Sequence, residues 1–168
     1  MDIKKILALT IIALALFSCM GAASAGLFDF FGGGGNQTYT FDGFTLDIPS
    51  GATVDQSMDS DNGVERKIFK VTSDDKNFTV TISTGNIVGS IDEYVANWEA
   101  KGGINEGNYS GWTLINLNKA PITTLQQYNI SLNYTGYIIA KHTGTKLIMI
   151  RGEDATFLKN LVGTFKEA

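Results

Sequence analysis

His142 is the only histidine in the chain, which limits the acid–base and metal chemistry open to it. A histidine relay needs the imidazole beside a nucleophile and a carboxylate. Here it precedes Thr143-Gly144-Thr145, and it reads as a solvated residue at a hairpin turn. A zinc site takes three or four histidine, cysteine or carboxylate ligands, and the single cysteine, Cys19, lies in an apolar N-terminal stretch. Glycoside hydrolysis needs two cooperating carboxylates. The dense acidic pairs are Asp74-Asp75 and Asp92-Glu93. The first reads as a hairpin loop. The second completes a capping box with Ser90 and sits at the favourable end of a helix dipole. Asp59-Ser60-Asp61-Asn62-Gly63 approaches a calcium loop, but its glycine comes one residue early and the closing Glu is missing. An Asx-type surface loop is expected there instead. No catalytic residue, cofactor-binding residue or metal ligand is therefore assigned.

The sequence is richer in modification signals. Asn-x-Ser/Thr sequons start at Asn36, Asn77, Asn108, Asn129 and Asn133. About two are expected by chance when roughly one residue in six is Ser or Thr, so the excess marks these asparagines as candidate glycan acceptors on an exported protein. Asn108 and Asn133 are expected in loops, and Asn77 at the start of a strand.

Residues 1–25 have the three parts of a signal peptide: Lys4 and Lys5, an apolar run from Ile6 to Phe17, and the small-x-small site Ala23-Ser24-Ala25. Cleavage after Ala25 is the first expectation. A retained anchor is the second, because Ile6 to Ala25 is long enough to span a bilayer. The third is lipidation of Cys19, since Leu16-Phe17-Ser18-Cys19 resembles a bacterial lipobox. Residues 26–37, with Gly32 to Gly35, read as a flexible spacer. Removing residues 1–25 takes away Lys4, Lys5 and Asp2, so the net charge moves from −4 to −5. An acidic domain without a lysine/arginine cluster is not expected to hold nucleic acid.

Residues 38–168 read as one domain. Phe44, Leu46 and Ile48 alternate with polar residues in a strand that Pro49 ends. Asp42-Gly43 joins it to the strand before in an expected type I′ turn, and this hairpin is expected to be joined to the domain's main sheet. Val64 to Val71 and Phe78 to Ser83 form a second hairpin, and residues 51–63 are expected to be a polar loop. A helix follows Ser90, with Ile91, Tyr94, Val95 and Trp98 on one face, and stops at Gly102-Gly103. Trp112 to Leu117 and Ile122 to about Leu132 read as strands. Tyr137 to Ala140 and Leu147 to Ile150 are apolar on both faces, so they are central, and their short link makes them antiparallel. A closing helix from about Asp154 carries Phe157, Leu158, Leu161, Val162 and Phe165 on its apolar face.

This α+β order resembles the PsbP-like fold, an antiparallel sheet with helices on both faces in an α/β/α sandwich. That fold is shared by an extrinsic photosystem II subunit, a Ran-release factor and many exported domains. The resemblance rests on Phe44 to Pro49, the Ile91–Trp98 helix, the paired strands from Tyr137 to Ile150, and the Phe157–Phe165 helix followed by Lys166. It runs from about Tyr39 to the end and implies a fold, not an activity. The leader, spacer and Asn/Thr-rich domain also look like small surface proteins of methane-producing archaea. The expected function is a non-enzymatic cell-surface module that binds or displays to an envelope protein or glycan, with membrane contact through the N-terminal segment if that is retained or lipidated. A structural subunit of an envelope complex is the alternative, and a carboxylate-dependent hydrolase a lesser one.

Overall fold

Two antiparallel sheets and two helices make up the computed structural model, which describes residues 35–85, 90–118 and 135–168. In chain order they are β1 (Asn36–Phe41), β2 (Phe44–Pro49), β3 (Thr53–Asp61), β4 (Val64–Thr72), β5 (Asn77–Gly85), α1 (Ile91–Ala100), β6 (Ile104–Tyr109), β7 (Trp112–Asn116), β8 (Tyr137–Thr143), β9 (Lys146–Gly152), α2 (Ala155–Gly163) and β10 (Lys166–Glu167). The fold is α+β. The main sheet has seven strands in the order β3-β4-β5-β9-β8-β7-β6, and every neighbouring pair is antiparallel. As their two-sided apolar sequences require, β8 and β9 lie inside it.

Successive residues of β7 show how the sheet separates two cores. Leu114 points into a large cluster with Phe44, Leu46, Ile48, Leu158 and Leu161, while Ile115 points into a smaller one with Tyr94 and Val95. Thus α2 packs on one face and α1 on the other. Each helix starts at the cap its sequence announces. Ser90 Oγ accepts from the Glu93 N–H at 3.2 Å, and Asp154 Oδ1 from the Phe157 N–H at 3.0 Å.

The opening hairpin differs from expectation in two ways. It belongs to a separate three-stranded sheet, β1-β2-β10, rather than to the main sheet. Polar strands fill both edges of the main sheet, β3 beyond β4 and β6 beyond β7, so the hairpin packs face-on through Phe41, Phe44, Leu46 and Ile48. Its turn is also not type I′. Only Gly43 has positive φ, at 89°, and Asp42 does not, which is the φ signature of a type II turn.

Three further corrections concern strand and helix limits. Residues 53–61 are a strand, not a loop, and the type I′ turn is at Asn62 (φ 51°) and Gly63 (φ 78°). Asp59 and Asp61 therefore belong to an edge strand, with Asp59 3.4 Å from Arg66 on β4. The closing helix ends at Gly163. Thr164 Oγ1 donates to Leu161 O at 2.7 Å and accepts from Asp47 N–H at 2.9 Å, which ties the helix end to β2. Phe165 follows that tie and packs on Phe44 and Trp112. His142 lies in β8, opposite Leu147, and is half-buried rather than a solvated turn residue.

Cleavage after Ala25, lipidation of Cys19, the spacer up to Gly34, the strand expected at Ile122 to Leu132, and the sequons at Asn129 and Asn133 all lie outside the described residues. No helix among the described residues is long and apolar enough to cross a membrane.

Candidate functional site

The register separates the residues that sequence chemistry singled out. Asp74-Asp75 occupies the β4–β5 turn, where Ser73 Oγ accepts from the Lys76 N–H at 3.0 Å. That end of β5 pairs with Gly152, whereas His142 pairs with Leu147 at the far end of β9. Asp92-Glu93 lies in the first turn of α1, against the other face. No three histidine, cysteine or carboxylate side chains among the described residues are placed to hold one metal ion. Of the sequons, Asn36 and Asn77 are exposed first residues of β1 and β5. Asn108 is in strand β6, not a loop, and its Oδ1 accepts from the Gly111 N–H at 3.0 Å. An edge strand leading into a tight turn has polar exposed residues, as a loop has, which explains the misplacement.

The chain does build an open cleft of about 380 Å³ where the β1–β2 and β8–β9 turns meet. Asp42 forms one wall. Its carboxylate bridges the two sheets, with Oδ1 3.0 Å from Lys67 Nζ on β4 and Oδ2 3.3 Å from Lys146 Nζ on β9. Lys146 also donates to the Asp42 carbonyl at 2.9 Å. The hydrogen bond from Lys67 is the main cause holding Asp42 below its ordinary carboxylate pKa, with Lys146 adding to it against an opposing effect of burial. The other wall is Thr143-Gly144-Thr145. Gly144 there has φ 56°, the positive value that a type II′ turn places at its first central residue. Glu167 of β10 closes the rim, and Phe165 and Ile148 line the floor. Lys141 Nζ sits 4.7 Å from the centre of the Phe165 ring, a cation–π contact.

Sequence reasoning gave the Phe41–Pro49 hairpin to the core and found no site in it. Its strands do serve the core, but its turn is a wall of the cleft. Asp42 and Lys146 are 104 residues apart, and no local spacing marks the pair. The one usable signal was an acidic residue in a tight turn, which ordinary turn preference already explains. Comparison with known protein families, with curated proteins and with solved structures returned no match.

Proposed function

We propose that this chain is an exported cell-surface module of PsbP-like architecture that works by binding rather than catalysis. Its leader gives the address and its glycine spacer gives reach. The observation that carries the binding reading is the open cleft beside Asp42, where charged and hydroxyl groups converge over an apolar floor. Small-ligand sites have this combination of a concave apolar surface and a few placed polar groups. The packing of α1 and α2 on opposite faces of an antiparallel sheet supports the PsbP-like assignment, whereas the opening hairpin, which that assignment places in the main sheet, forms a sheet of its own and counts against it. An envelope protein or glycan is the proposed partner. The intact mass of native protein, together with the fraction it is recovered from, tests the address. A chain starting at Gly26, a lipidated chain starting at Cys19, or a full chain in the envelope all agree with export. An unmodified full chain in the cytosol contradicts it.

A second reading, a structural subunit of an envelope complex, is favoured by β3. This nine-residue edge strand pairs with β4 in unbroken register and has no outer partner among the described residues. Such an edge is a template for pairing with another chain.

A further inference from the structure

We infer that the cleft beside Asp42 takes a neutral saccharide unit. This rests on reading the cleft as the binding face of the module, and it names the ligand class from the groups left free there.

Charge decides first. Asp42 and Glu167 bring two carboxylates to the cleft and Lys146 an ammonium group, while Lys67 meets Asp42 from β4 and Lys141 lies over the Phe165 ring. Charges of both signs therefore face the cleft, and no single-sign field is there to concentrate a small ion. An anion would meet Glu167, and a cation would meet Lys146.

Hydrogen-bonding capacity decides next. Lys146 has three N–H donors, and the Asp42 carbonyl and carboxylate engage it from one side, which leaves donor capacity for a ligand. Thr143 and Thr145 stand on either side of Gly144, and each hydroxyl both donates and accepts. Neither has a side-chain partner among the described residues, and the Glu167 carboxylate accepts no hydrogen bond there. The cleft thus offers mixed donors and acceptors around the partly exposed Phe165. A pyranose presents the same pattern in reverse, with hydroxyls around its rim and C–H groups on its face. A cleft of about 380 Å³ is at the lower end of small-ligand sites, which suits one or two sugar units. Because the cleft is open, affinity for a monosaccharide is expected near about 1 mM.

The test is an amide-resolved NMR titration of the full-length protein, in detergent if the leader is retained. The probes are methyl α-D-glucopyranoside and methyl α-D-mannopyranoside, with glucuronate and inorganic phosphate as anionic controls. Saturable shifts at Gly144, Thr145, Lys146 and Glu167 are expected with at least one neutral hexoside. Thr145→Val and Glu167→Gln should each weaken binding about tenfold, the size expected for one lost hydrogen bond. Both positions are at the surface, and unchanged shifts elsewhere would confirm folding; Lys146 is left intact because it anchors Asp42. Absence of saturation with both hexosides overturns the inference, as does tighter binding of either anion or indifference to both substitutions. The titration is independent of cellular address. A cytosolic protein that binds the hexoside would remove the display reading and leave the cleft assignment standing, and an exported protein that does not bind would do the reverse.

Discussion

Replacing Asp42 by Asn removes one charge from the junction of the two sheets and almost no volume. In the native protein that carboxylate meets Lys67 at 3.0 Å and Lys146 at 3.3 Å, with all three side chains about one-third exposed. Fully exposed ion pairs contribute about 0.2–1 kcal/mol each, and hydrogen bonds to charged groups about 1.5–3 kcal/mol. Partial solvent screening sets this pair of contacts near the lower range, and the Asn amide oxygen keeps part of the hydrogen bonding. The expected loss is about 1–2 kcal/mol at pH 7 and low salt, and less at 1 M salt, where screening acts within about 3 Å. The folded protein holds Asp42 below the unfolded value of 3.8. Its stabilisation is therefore fully present above that value and is lost as pH falls through the lower, folded-state value. Urea unfolding of both proteins at pH 7 and pH 2.5 measures this. The difference should be clear at pH 7 and should shrink in acid. Equal stability at pH 7, or a gap of the same size at both pH values, would refute the ionic account of how the small sheet is clamped.

Three other substitutions probe the frame around the cleft. Leu46→Ala, at a position with no exposure in the β2 face that meets the main sheet, should cost about 2–5 kcal/mol by urea unfolding. Asp154→Ala removes both the α2 cap and a 2.9 Å contact with the Lys76 ammonium. A loss of about 1–2 kcal/mol is expected, and because Lys76 and the Phe157 N–H hold this carboxyl below its ordinary pKa, the gap should also close in acid. Gly136→Ala would place a Cβ 2.6 Å from the Gly152 carbonyl oxygen at φ 112°, and a fall of at least about 2 kcal/mol is expected by thermal or urea unfolding.

The elements that were legible in the sequence were written locally. Ser90 and Asp154 cap their helices by contacts three residues away, and alternation in β2 is visible without knowing its partner. By contrast, β3 and β6 are edge strands with nearly all side chains exposed, so they lack the apolar period that reveals a strand. The small sheet depends on Lys166 opposite Thr45 and Glu167 opposite Phe44, pairings across most of the chain that no window contains. The cleft has the same character. Asp42, Thr145 and Glu167 are ordinary turn and edge residues one at a time; the pairing of β10 with β2 sets Glu167 near Asp42, and the docking of that sheet on the main one adds Thr145.

Surface accessibility on intact cells tests the central claim of an exported binding module most directly. Cells are treated with a membrane-impermeant amine reagent, and modification of the exposed Lys70 and Lys166 is measured by mass spectrometry before and after lysis. Display predicts equal modification in both samples. Modification that appears only after lysis would contradict it.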